Sequence, residues 1–245
     1  MNVEQLSDSL VAWLRAEVQA AGCGGVVFGL SGGIDSAAVA VLARRAFRDE
    51  HLALIMPIQS DPGDREDALL MVEKFQLAHR EVDLGPVFEA FSRTVGETPG
   101  AGARDDLALN NVKPRLRMST LYYFAARRRY LVVGTGNRTE LTLGYFTKYG
   151  DGGVDLLPLG HLVKHEVREL ATHLAVPGSI VDKPPSAGMW AGQTDEGELG
   201  FSYDDLDRYL VGGQGSEALS ARVEELRHKN AHKLRIPKLP PASAS

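Results

Sequence analysis

A doubly wound α/β architecture, with a mainly parallel sheet of about five strands flanked by helices, is what the sequence predicts. Three observations lead there. Short apolar runs alternate with stretches of helical spacing, the pattern of buried parallel strands joined by crossover helices. The first run, Val26-Val27-Phe28-Gly29-Leu30, passes through Ser31-Gly32-Gly33 straight into a helix start at Ile34-Asp35-Ser36. At 245 residues, with 44% hydrophobic and 24% charged side chains, the chain is long enough for one large domain with a real core, expected over 1–245.

The elements follow in order. Residues 4–20 read as an amphipathic helix whose Leu6, Leu10, Trp13 and Leu14 share a face, either core or subunit contact. After the first strand, Ile34, Ala38, Val41 and Leu42 line one side of the next helix. Leu52–Met56 is a second apolar strand, stopped by Pro57. Helical spacing resumes from Asp64 through Leu69, Val72 and Phe75, and Arg80–Leu84 suggests a third strand. Pro86–Val95 reads as helix and Gly96–Asp105 as a connection. Asn111 looks like the cap of a helix with Pro114 in its first turn and Met118, Leu121, Tyr122 and Ala125 facing inward. Arg127–Arg129 is more simply a solvated helix end than a binding patch, since cations suit that end of the dipole. Tyr130–Val133 is another buried strand, and Val163, Val167, Leu170, Ala171 and Leu174 define a later helix. Ser202 with Asp205 is a capping signal, Leu219, Val223 and Leu226 mark the last helix, and the tail 237–245 should fray.

The glycine turn between the first strand and its helix is an anion site by construction. Unpaired N–H groups point outward, the helix dipole favours negative charge, and glycine lets phosphate oxygens approach the backbone. Hydroxyls of Ser31 and Ser36 would add donors. Asp35 is then the odd residue, because a carboxylate repels phosphate unless a cation lies between them, which points to magnesium. The plainer reading is an ordinary strand-turn-helix in which Asp35 merely favours the helix N-terminus. Neither a Walker loop nor a dinucleotide fingerprint fits the spacing.

A second strand-to-helix crevice lies at Gly134-Thr135-Gly136-Asn137-Arg138-Thr139-Glu140. Asn137 with Glu140 fits a capping box, which alone would explain both residues. Tyr145–Asp155 follows no periodicity yet carries three glycines, two aspartates, two tyrosines and a lysine, the composition of a lid or binding loop. Residues 176–201, with Lys183-Pro184-Pro185-Ser186, form a second lid candidate. Residues 145–155 and 183–200 should be mobile alone and ordered around bound substrates.

The net charge of −5 sets up no field toward nucleic acid or anionic membrane, so neither partner is expected. The one cysteine, Cys23, excludes a disulfide framework and a cysteine metal site. No apolar run approaches the length of a membrane span and no signal-peptide pattern opens the chain, so the expected compartment is the cytoplasm.

The string Ser-Gly-Gly-Ile-Asp-Ser at 31–36 resembles the pyrophosphate loop of the ATP pyrophosphatases, enzymes that split ATP between the α and β phosphates to adenylate a substrate. With Gly144-Tyr145-Phe146-Thr147-Lys148-Tyr149-Gly150-Asp151-Gly152-Gly153-Val154-Asp155 added, the resemblance narrows to the NAD synthetases, and it runs from about Val26 to Pro237. It implies an adenine nucleotide alpha hydrolase-like fold and a ligase that forms a carbon–nitrogen bond. Gly29, Leu30, Ser31, Gly32, Gly33, Ile34, Asp35 and Ser36 would hold ATP phosphates. Asp35 and Glu140 would hold a magnesium ion, and Thr135, Lys164 and Ser186 would contact ATP. Asp35, Glu140, Lys164 and Ser186 are thus the implied catalytic set. Arg115, Lys148, Asp155, His232 and Lys233 match contacts to the deamidated dinucleotide (deamido-NAD). On spacing alone Lys164 is also readable as a helix-surface lysine and His232 as a solvated tail residue. Ser186 stands where many members carry threonine, and Gly136-Asn137-Arg138-Thr139 replaces Asp-His-Ala-Ala, which makes the nicotinate end differ in detail.

The resemblance implies two steps: adenylation of the nicotinate carboxylate with loss of pyrophosphate, then displacement of AMP by ammonia. Only one helix precedes residue 26 and Cys23 is badly placed for a glutaminase, so free ammonia, or ammonia from a separate protein, is the expected nitrogen source. A homodimer is implied as well. Two other readings stand beside this one. A tRNA-modifying ATP pyrophosphatase would want a basic face, and a non-catalytic ATP sensor would need neither lid candidate.

Overall fold

In the computed structural model, the described residues are 2–97, 106–184 and 195–240. The chain runs α1 (Val3–Ala20), β1 (Gly25–Gly29), α2 (Ile34–Phe47), β2 (His51–Ile55), α3 (Pro62–Phe75), β3 (His79–Glu81) and α4 (Gly85–Thr94). After a short α5 (Leu107–Asn110) come α6 (Val112–Arg128), β4 (Tyr130–Val133), α7 (Arg138–Leu143) and α8 (Lys164–His173). The turn α9 (Gly178–Val181), then α10 (Asp195–Leu199), α11 (Tyr203–Gly212) and α12 (Glu217–Asn230), complete it.

Among the described residues four strands form one parallel sheet in the order β3-β2-β1-β4, the doubly wound arrangement expected. These are four strands where about five were expected, and the reason is local. Leu156 makes a single parallel bridge to Val133 beyond β4, and the chain turns away at Pro158 before a ladder can grow. Expected at Arg80–Leu84, the third strand lies at His79–Glu81 instead, on an exposed edge where no apolar run marks it. Alternation along the strands serves both faces. Val26, Phe28, Ala53, Ile55 and Val133 point into a core shared with α1, α2, α3 and α8, while Val27, Leu52, Leu54 and Val132 pack under α4 and α6. Burial on both faces is why these strands read as continuous apolar runs. The alanines of α2 (Ala37, Ala38, Ala40 and Ala43) are fully buried, and their small size admits α1 and α8 against that helix. A third cluster, Leu143, Leu199, Leu206, Leu219 and Val223, seats α7 on α11 and α12.

Caps follow the sequence signals with one exception. Asn137 and Glu140 form the expected capping box, and the Ser202 hydroxyl accepts the Asp205 N–H at 3.2 Å. Asn111 precedes α6 but makes no capping bond; its side-chain oxygen is taken by the Thr147 hydroxyl at 2.8 Å.

His51 opens β2 with 1% of its surface exposed. Its Nε2 accepts the Ala78 N–H at 3.1 Å, so Nδ1 carries the proton and faces the Arg48 carbonyl without reaching bonding geometry. Burial holds its pKa below the ordinary value of 6.5. A depressed folded value means that stability is full above 6.5 and is lost as pH falls through the folded value. The urea midpoint should therefore drop as pH falls below about 6.5, and His51→Gln should flatten that drop. Equal slopes for the two proteins would contradict the assignment.

Candidate functional site

β1 and β4 are neighbours in the sheet, and the turns leaving their carboxyl ends open side by side, where ligands bind in doubly wound folds. The β1 turn closes on itself. Ser31 N–H donates to Ser36 Oγ at 3.2 Å, Ser31 Oγ donates to the same oxygen at 3.1 Å, and Ser36 Oγ donates to the Gly33 carbonyl at 2.8 Å. Here the Ser36 hydroxyl, expected as a ligand donor, helps to shape the loop. Gly32 adopts φ +83°, and a Cβ there would lie 2.2 Å from the Asp64 carbonyl oxygen, so glycine is required on two counts. The exposed Ser31, the half-buried Gly29 and Gly33, and the buried Leu30 and Ile34 complete the turn, with Asp35 in the first helical turn beyond it.

Asp35 is the meeting point. Its Oδ2 pairs with Lys164 Nζ from the start of α8 at 2.5 Å, and its Oδ1 accepts Asn137 Nδ2 at 3.1 Å. The Lys164 side chain is 4% exposed and that of Asp35 17%, so the pair is largely out of water. Asn137, fully buried, also accepts the Glu140 N–H at 3.0 Å and donates its own N–H to Glu140 Oε2 at 3.1 Å. Asn137 therefore links the two carboxylates that the sequence singled out, Asp35 through its side-chain amide and Glu140 through its backbone N–H. Its neighbour Thr135 lies half-buried in the same turn. Lys164 is no surface lysine: its ammonium sits 5.2 Å from the centre of the Tyr203 ring.

Four of the five expected dinucleotide contacts gather around the segment that leaves α7. Arg115 Nε reaches the Lys148 carbonyl at 3.4 Å, and Lys148 Nζ donates to the His232 carbonyl at 2.8 Å. Lys233 Nζ donates to the carbonyls of Gly144 and Phe146 at 2.7 and 2.8 Å, and burial lowers its pKa. Gly144 adopts φ +64°, and a Cβ there would meet Asn230 Cβ at 2.3 Å, so the end of α12 presses directly on this turn. His232 itself is exposed. Asp155 stands apart. Its oxygens accept the Tyr122 hydroxyl at 2.9 Å and the Val132 N–H at 2.8 Å, fastening the segment to α6 and β4. Burial and that bond push the Tyr122 pKa well above its ordinary value. Residues 185–194 of the second lid candidate, Ser186 among them, lie outside the described residues.

Two groups escaped the sequence reading. Lys183 donates to Asp64 Oδ1 at 2.8 Å and Asp67 Oδ2 at 2.7 Å, which raises its pKa and ties the stretch after α9 to the helix whose Asp64 carbonyl abuts Gly32. Asp207 of α11 accepts the N–H groups of Lys164 and His165, and no local pattern pointed to it. Among the described residues no group of three or more His, Cys, Asp or Glu side chains is placed to hold a metal alone. Two hard oxygen donors, Asp35 and Glu140, fit a magnesium ion that completes its shell with substrate phosphates and water.

Residues 6–237 match the NAD synthase family. The chain is 51% identical to an NH(3)-dependent NAD(+) synthetase of Carboxydothermus hydrogenoformans, over 98% of each chain. Among solved structures, an NMN synthetase from Francisella tularensis superposes with a TM-score of 0.92 at 37% identity, covering 99% of this chain and all of that one. An NH3-dependent NAD synthetase from Campylobacter jejuni gives a TM-score of 0.80 at 32% identity over 98% of this chain and 99% of its own. With the sheet order, the glycine turn and the Asn137 link between Asp35 and Glu140 in place, the chain belongs to the NAD synthase family, ligases that form a carbon–nitrogen bond.

Proposed function

We propose that the protein amidates nicotinic acid adenine dinucleotide with ammonia to give NAD, consuming ATP to AMP and pyrophosphate. The observation that carries this reading is the convergence of Asp35, Asn137 with Glu140, and Lys164 at the mouth of the β1–β4 crevice. In sequence, Asn137 is 102 and Lys164 129 residues from Asp35. A carboxylate is a poor electrophile, so it must first be activated. A nicotinate oxygen attacks the α-phosphorus of ATP, the bond to the β-phosphate oxygen breaks, and pyrophosphate leaves. The lone pair of ammonia then attacks the acyl carbon, the bond to the AMP oxygen breaks, and the nitrogen gives up one proton to leave the neutral amide.

The chain's share is positioning and charge stabilisation. N–H groups of the Ser31–Ser36 turn and the α2 N-terminus receive phosphate oxygens. Lys164 leaves its contact with Asp35 to meet the triphosphate. Asp35 and Glu140 would hold magnesium, which when bound shares the charge of the leaving pyrophosphate. Arg115, Lys148, His232 and Lys233 receive the dinucleotide. The exposed apolar side chains Val87 and Phe91 of α4, Val95 just after it and Tyr123 of α6 support a homodimer, read out by sedimentation. No helix among the described residues is long and apolar enough to cross a membrane.

A second reading, amidation of the deamidated mononucleotide, draws on the Francisella likeness. The test supplies ATP, magnesium and ammonium with either the dinucleotide or the mononucleotide acid, and quantifies amide and AMP. NAD with equimolar AMP is expected, and a clear preference for the mononucleotide would favour the second reading. ATP left intact with both acids would remove both. With ammonium limiting, the rate should climb about tenfold per pH unit below the ammonium pKa, following the free base. A flat profile would rule out attack by neutral ammonia.

A further inference from the structure

We propose that Asp207 is a positioning residue that sets Lys164 against Asp35 by capping α8 from a different helix. The inference rests on the reading of Lys164 as an ATP contact. α8 starts at Lys164, and Val163 before it has no side-chain acceptor, so the first N–H groups need partners from elsewhere. Asp207 supplies them: Oδ1 accepts the Lys164 N–H at 3.2 Å and Oδ2 the His165 N–H at 2.7 Å. His165 Nδ1 lies 3.0 Å from Oδ2, and the Thr139 hydroxyl donates to Oδ1 at 3.2 Å. The Asp207 side chain is 3% exposed. A carboxylate that deep is tolerated only when fully bonded, and the positive end of α8 adds to its stabilisation.

The connections reach the reacting end by two routes. Thr139 sits on α7 between Asn137 and Glu140, so one carboxylate joins the helix that carries Glu140 to the helix that carries Lys164. One turn before Asp207 on α11, Tyr203 places its ring under the Lys164 ammonium. The same face of α11 therefore holds the backbone of Lys164 and covers the end of its side chain.

Asp207→Asn keeps size and one acceptor but turns an amide N–H toward the His165 N–H. Turnover at saturating ATP is expected to fall about 10–100-fold with the dinucleotide KM within about twofold, because an ångström of misplacement costs about that much. In a Lys164→Ala background the same change should cost less than about threefold, since the two act through one contact. A merely structural role would give equal losses in both backgrounds, and that result, or turnover within about twofold of wild type, overturns the proposal. If Asp207→Asn fails to fold, Thr139→Val carries the same cycle. A crystal structure of the variant reads the geometry without any reaction: Lys164 Nζ should stand about 1 Å or more away from its wild-type place on Asp35. An unchanged pair overturns the inference even if no nucleotide acid is amidated, an outcome that would count separately against the functional reading.

Discussion

Asp35→Asn should lower NAD formation by about 10²–10³, the typical loss when one stabiliser of developing charge is removed. Geometry sharpens the expectation. The amide can still accept from Asn137 or from Lys164, but it cannot offer two anionic oxygens, so a cation shared with phosphate loses its ligand. Stability should suffer too, because Lys164 faces this charge with a side chain only 4% exposed. A lost charged hydrogen bond at such a site costs about 1.5–3 kcal/mol. Denaturant melts should thus show a weakened but folded protein, and turnover near wild type at saturating magnesium would refute the role.

Glu140→Gln separates capping from catalysis. The Asn137 N–H bonds to Glu140 Oε2, and glutamine presents an equivalent oxygen, so the cap survives. The melting temperature should move by no more than a degree or two, as expected for about 0.5 kcal/mol or less. Activity should nevertheless fall about 10²–10³-fold, as for Asp35. A variant that is both stable and active would leave Glu140 as a cap and nothing more.

What the sequence made legible, and what it hid, divides along one physical line. Strands β1, β2 and β4 are buried on both faces and announce themselves as apolar runs, whereas the edge strand β3 is exposed and does not. The Ser31–Ser36 turn and the Asn137–Glu140 box are readable because the bonds that shape them run within five residues. Contacts between distant segments leave no such trace. Thr147 captures Asn111 from 36 residues away, which overrides its local capping preference. Asp207 bonds across 42, 43 and 68 residues, and Lys183 across 116 and 119, so no spacing rule finds them. Asn137 was visible as a cap, but its second bond, to Asp35, depends on β4 lying beside β1.

The central claim, that the nicotinate carboxylate is adenylated at the β1–β4 crevice, is tested most directly by following its oxygens. Deamido-NAD carrying heavy oxygen in the nicotinate carboxylate is turned over with ATP, magnesium and ammonia, and the products are weighed by mass spectrometry. Attack on the α-phosphorus predicts one labelled oxygen in AMP, one retained in the amide of NAD, and none in pyrophosphate. Label in pyrophosphate, or in neither AMP nor pyrophosphate, would contradict the account.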